Sequence, residues 1–110
     1  MGIFDIFKEK STEIVDFNSE ESLFYTELQK KLKIAAIRNK LTYNILSDKT
    51  INFKLTGIGQ IGRVKIRGKT KRIQILKKAP RHNLDVLWLD VSGVDDMIML
   101  IDKWIEYIKS

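Results

Sequence analysis

The sequence contains no cysteine. That excludes disulfides, thiolate metal sites and cysteine nucleophiles, and it suits a reducing, cytoplasmic setting. It has one proline and one histidine. Any Ser–His–Asp set or imidazole metal centre would therefore have to be built on His82 alone. No apolar run approaches the ~18 residues of a membrane-crossing helix, so no membrane span is expected. The opening stretch MGIFDIFKEK lacks the basic start and long apolar core of a secretory signal. Ile6 stands where a myristoylation motif would need Ser or Thr. The most informative absence is of one charge sign: from Lys49 to Leu84 there is no Asp or Glu.

That stretch carries 11 basic residues. Before it lie 7 basic and 8 acidic residues, after it 2 basic and 6 acidic, in a chain of net charge +6. Such segregation predicts a positive face on a neutral-to-acidic remainder. The face serves either to bind anions or as a surface whose charges pair with the acidic flanks on folding. Hydrophobic residues at 44% and charged residues at 31% are ordinary for a globular protein. The 110 residues are the size of one domain, 1–110, able to bury roughly two thirds of the surface an unfolded chain exposes.

Periodicity places the elements. Residues 1–17 space Ile3, Phe4 and Phe7 as in a short amphipathic helix or arm. Asn18 followed by Glu21 predicts a capping box and a helix running to about Arg38, with Asn39 as its stop. Phe24, Leu28, Leu32 and Ala35 or Ala36 form the buried stripe of that helix. From Leu41 the period becomes two. Strands are predicted over 41–46, 50–56, 62–67 and 71–77, with turns at Ser47–Lys49 and Gly68–Thr70. In the third strand Val64 and Ile66 face inward and Arg63, Lys65 and Arg67 outward; in the fourth, Ile73 and Ile75 face inward. Residues 85–91, apolar on both faces, predict a central strand covered on both sides. Ser92–Asp95 opens a last helix, with Met97, Ile98, Ile101, Ile105 and Ile108 as its stripe, widened by Leu100 and Trp104. The expected fold class is α+β: N-terminal helices, a mainly antiparallel meander of four to five strands with a basic hairpin, and a C-terminal helix packed on the sheet.

Gly57, Gly59, Gly62 and Val64 spell G-x-G-x-x-G-x-V. A dinucleotide fingerprint requires a helix after the glycines, but RVKIR has the period of a strand. The Walker spacing fits in neither frame, because Arg67 and Arg63 fall where glycines are needed. Over these eight residues the string resembles the glycine-rich loop of protein kinases, which is also a strand–turn–strand. Neither H-R-D nor D-F-G occurs in the chain, so the resemblance implies no kinase activity. Gly57 and Gly59 instead predict a turn or bulge, and Gly62 a close approach.

Little else points to catalysis. His82 reads as a loop residue. Asp95 and Asp96 read as helix-start residues, and Asp90, sharing a strand face with Val86 and Trp88, as a partly buried carboxylate with a structural partner. The basic strands offer no carboxylate for a metal-dependent nuclease. No cofactor, no metal and no enzymatic activity are expected. The candidate site is the basic hairpin: Arg63, Lys65, Arg67, Lys69, Lys71 and Arg72, with Lys77, Lys78 and Arg81 beyond. Residues two apart on a strand recur at about 6.6 Å, a spacing suited to phosphates, and Gln74 is placed to touch a base or phosphate. Five neutralised phosphates would give a salt slope of about −4.5. With no aromatic residue among the hairpin's outward positions, base stacking has little support here. The expected function is polyanion binding, with nucleic acid as the partner. The alternative is a protein-interaction or adaptor module, with a homodimer among its forms.

Overall fold

Asn18 and Glu21 start the first helix as their spacing requires. The Glu21 amide donates to Asn18 Oδ1 and the Asn18 amide to Glu21 Oε1, both at 2.8 Å. In the computed structural model, which describes residues 17–78 and 84–110, this helix is α1, Ser19–Ile34. The helix expected over 1–17 lies outside the described residues, except for Phe17. That ring is buried 5.5 Å from Tyr25 and 4.7 Å from Tyr43.

The helix stops four residues before Arg38, and glycine is not what stops it. Ala36 takes a left-handed φ of 62°. Its amide donates to Lys33 O at 3.0 Å, and that of Ile37 to Leu32 O at 2.9 Å. These two bonds make a Schellman motif built on alanine. Asn39 does not stop the helix. Its Nδ2 donates to Thr56 O at 2.9 Å, which ties the helix exit to a distant strand end.

Five strands follow: β1 Leu41–Ile45, β2 Ile51–Leu55, β3 Gly59–Lys65, β4 Lys71–Lys78 and β5 Leu84–Val91. Each pairs antiparallel with the next, so their order in the sheet is that of the chain. The last helix, α2, spans Val94–Lys109. The α+β class and the meander are as the sequence predicts.

The expectation of a central final strand is not met. In a meander each strand adds to the edge its predecessor left open, so β5 lies at the edge of the described sheet. Leu84, Val86 and Leu87 are 48%, 51% and 55% exposed. Two-faced apolarity reports what a strand is made of, and says nothing about how many neighbours it has.

Both described helices lie on one face of the sheet. Phe24, Leu28 and Leu32 of α1 share one buried core with Ile51, Phe53, Leu55, Val64 and Ile73 of the sheet and with Ile66 just past β3. Each fully buried large side chain contributes about 1.5–3 kcal/mol. The buried line of α2 is Val94, Met97, Ile101 and Trp104; Ile98, Ile105 and Ile108 are only partly buried. Trp104, expected at the margin of the stripe, is therefore at its centre. Its indole Nε1 donates to Gln74 O at 2.7 Å, and its ring lies 5.6 Å from Phe24 and 5.9 Å from Phe53.

The glycines explain how that indole fits. Gly57 and Gly59, at φ 88° and 101°, form the β2–β3 turn. Between Phe53 and Lys54 the register shifts, which leaves Ile61 as the extra residue of a bulge. At Gly62 a β-carbon would fall 2.4 Å from Trp104 Cε2 and Cζ2. Glycine is required there because the indole lies against the backbone.

Candidate functional site

The face of the sheet away from the helices is set by alternation along β2–β5. Val64, Ile66 and Ile73 are fully buried on the helix side, so Arg63 and Lys65 fall on the open side. Register carries this across the sheet: Asn52 opposes Arg63, Lys65 opposes Arg72, Arg72 opposes Asp90, and Gln74 opposes Trp88. The β1–β2 and β3–β4 turns rise at the same end. Between them lies a hollow of about 530 Å³, lined by Arg63, Lys65, Arg67, Lys69 and Arg72. Among the described residues Asp48 is its one carboxylate, and Trp88 forms part of its wall.

Three of the hairpin cations are engaged by acidic residues from the flanks. Glu21 is buried, and Arg67 donates to its Oε1 from Nε at 2.9 Å and from Nη2 at 2.8 Å. The carboxylate that caps α1 thus also holds the start of the β3–β4 turn. Arg67, expected outward like its neighbours, turns to this partner. Lys71 reaches Glu20 at 3.5 Å and is largely covered. Arg72 Nε donates to Asp90 Oδ1 at 3.0 Å. Asp90 has the expected partner, but at 69% exposure its side chain is not the partly buried carboxylate the sequence suggests. It lies on the solvent side of an edge strand, where none of the described residues covers it.

Arg63, Lys65 and Lys69 make no ion pair among the described residues. Arg63 Nε and Asn52 Oδ1, at register-paired positions on this face, are buried without a hydrogen-bond partner among those residues. In the β1–β2 turn the Thr50 amide donates to Asp48 Oδ1 at 3.0 Å. That bond holds the Asp48 carboxyl below its ordinary value of 3.8, assisted by the Thr50 hydroxyl and, more weakly, by the charge of Lys65.

The remaining candidates disperse. Lys77 is exposed, away from the hollow. Lys78 donates to Ser110 O at 2.8 Å and lies 5.9 Å over the Tyr107 ring. Arg81 and His82 lie outside the described residues. Gln74 is not available to a ligand: it is buried, and its Oε1 accepts from Gln60 Nε2 at 2.9 Å.

One lining residue is absent from the sequence candidates. Trp88 shares the hollow with the cations, and Arg72 Cζ lies 5.3 Å from its ring centroid. It belongs to the strand beside the hairpin, so the hairpin's own outward positions do not include it. Strand parity carries the signal, since Trp88 and Asp90 must share a face.

Among the described residues no group of three His, Cys, Asp or Glu side chains gathers in a way that would hold a metal ion. No described helix is long and apolar enough to cross a membrane. The structure thus defines an α+β protein whose antiparallel meander carries helices on one face and a cationic hollow on the other. Comparison with known protein families, characterised proteins and solved structures yields no match.

Proposed function

We propose that this chain is a non-catalytic nucleic-acid-binding protein of the cytoplasm that receives the phosphate backbone in the hollow between its β1–β2 and β3–β4 turns. The observation that carries this reading is the gathering of five cations around one concavity with a single carboxylate among the described residues. Arg63, Lys65 and Lys69 make no ion pair among the described residues, and like charges gathered in this way repel one another until an anion arrives. Arg63, Lys65 and Lys69 are the phosphate contacts. Arg67 and Arg72, each held by a carboxylate, shape the walls.

Three contacts, rather than the five counted from sequence, give a slope of log K against log salt between about −2 for single strands and −3 for duplex. Fluorescence anisotropy with labelled DNA and RNA across a salt series measures it. A slope near zero refutes the reading, as does undiminished binding by an Arg63→Glu/Lys65→Glu variant that still folds.

The β5 edge favours a second use. Its exposed Leu84, Val86 and Leu87 accompany backbone groups with no described strand beyond them. Such an edge accepts a strand from a partner or from a second copy. A protomer mass by sedimentation across the micromolar range, unchanged by Leu87→Lys, would exclude the homodimer.

A further inference from the structure

We infer that the hollow selects single-stranded nucleic acid by stacking an unpaired base on the Arg72–Trp88 pair. The inference rests on the nucleic-acid reading above and extends it from backbone to base.

Trp88 is separate from the main aromatic cluster of the described residues. Phe17, Phe24, Tyr25, Tyr43, Phe53 and Trp104 form one network of ring contacts on the helix side. Trp88 belongs neither to the buried core nor to the partly buried shell around it. A large indole is instead held half-buried on the polar face, inside the concavity that collects the cations.

The local geometry orients this pair for stacking. Asp90 accepts from Arg72 Nε at 3.0 Å, an in-plane contact that uses the edge of the guanidinium and leaves its faces open. Its Cζ lies over the Trp88 ring, 5.3 Å from the centroid. The Arg72 side chain is 49% exposed, so the pair is within reach of a ligand from solvent. Indole and guanidinium are both groups on which bases stack without regard to sequence. Lys65, directly opposite Arg72 in register, places a cation beside that platform for the adjoining phosphate.

The concavity discriminates between strands. A duplex keeps the faces of its bases within its own stack and offers this site only phosphates. A ribbon that enters a major groove must protrude, whereas these residues lie recessed between two turns. The hollow's volume of about 530 Å³ falls within the ~300–1,000 Å³ of sites that enclose small organic molecules. An unpaired nucleotide can enter it.

The test uses the full chain and three labelled probes: a 12-nucleotide oligothymidylate, the same length of abasic sugar-phosphate, and a 12-base-pair duplex. Oligothymidylate is expected to bind roughly tenfold tighter than the abasic strand, and tighter than the duplex. Its binding should quench tryptophan emission. That quench should vanish in Trp88→Phe, which leaves only the fully buried Trp104 to report. Trp88→Ala should bring oligothymidylate affinity down to the abasic level. Equal affinity for oligothymidylate and the abasic strand, measured on the unaltered protein, overturns stacking whether or not the variants fold. If Arg63→Glu/Lys65→Glu still abolishes binding in that case, the backbone reading survives alone. If that variant binds all three probes as the unaltered protein does, both readings fall, and the cationic face belongs to an acidic protein partner.

Discussion

Replacing Gly62 by Ala tests the central packing claim. The added methyl would sit 2.4 Å from Trp104 Cε2 and Cζ2 and 2.8 Å from Nε1. Carbon atoms rest at about 3.5–4.0 Å, so the ring must withdraw by about 1 Å. It has nowhere to go, since Trp104 is fully buried and its Nε1 is held to Gln74 O at 2.7 Å. Forcing a methyl into such a site costs about 1–3 kcal/mol. Stretching the indole bond past hydrogen-bonding range adds about 1–3 kcal/mol for a buried donor left unmatched. The two together give about 2–6 kcal/mol, against a total stability of order 5–15 kcal/mol. Gly62→Ala should therefore fold less stably, with its midpoint lowered by roughly 8–24 °C. Urea unfolding followed by far-ultraviolet circular dichroism gives the loss directly. Gly59→Ala is the comparison: nothing lies near its added methyl, and its φ of 101° should cost only about 1–2 kcal/mol. A smaller ring should relieve the clash, so Gly62→Ala combined with Trp104→Phe should be less damaging than the sum of the two by at least ~1 kcal/mol. A Gly62→Ala protein within ~0.5 kcal/mol of the original, or purely additive changes, would refute the reasoning.

Three further outcomes are expected. Arg67→Ala removes the ion-pair partner of the buried Glu21 carboxylate, which keeps the Asn18 amide as a donor, and should cost about 3 kcal/mol by urea unfolding, at the low end for a broken buried pair because the Arg67 side chain is 32% exposed. Ala36→Gly relieves a left-handed φ of 62° and should stabilise by about 0.5–1 kcal/mol, after the greater chain entropy of glycine is set against the relief. The Asp48 carboxyl should titrate below 3.8 when followed by carbon-detected NMR, chiefly because the Thr50 amide donates to it. A carboxyl whose midpoint is depressed by folding binds its proton more weakly folded than unfolded. Its contribution to stability is therefore complete above 3.8 and is lost as pH falls through the lower folded midpoint.

Much of the fold can be read from local pattern. The capping box at Asn18 and Glu21, the period-two strands and the amphipathic last helix are each stated by residues within a few places of one another. What cannot be read depends on distant partners. The Schellman turn at Ala36 carries no glycine to announce it. It holds because tertiary packing of Ile37 against the core fixes the exit of the chain. The edge position of β5 follows from strand order, which hydrophobic pattern does not encode. The window without acidic residues marks the basic face. Which cations remain unpaired, however, is decided by Glu20, Glu21 and Asp90, residues 51, 46 and 18 positions away from Lys71, Arg67 and Arg72. The third glycine of the G-x-G-x-x-G string acts through Trp104, 42 residues further on, and no motif comparison contains that partner.

The order of the elements has a consequence for how the protein folds. The sheet and α1 precede α2 in the chain, and Trp104 is the last fully buried side chain along it. A partly folded chain whose α2 has not docked presents a notch at Gly62 with no indole in it. It presents as well a β5 edge with no described strand beyond it. Exposed apolar surface together with an unpaired strand edge is what makes a partly folded chain aggregate. Whatever slows the seating of Trp104 therefore raises the risk of aggregation.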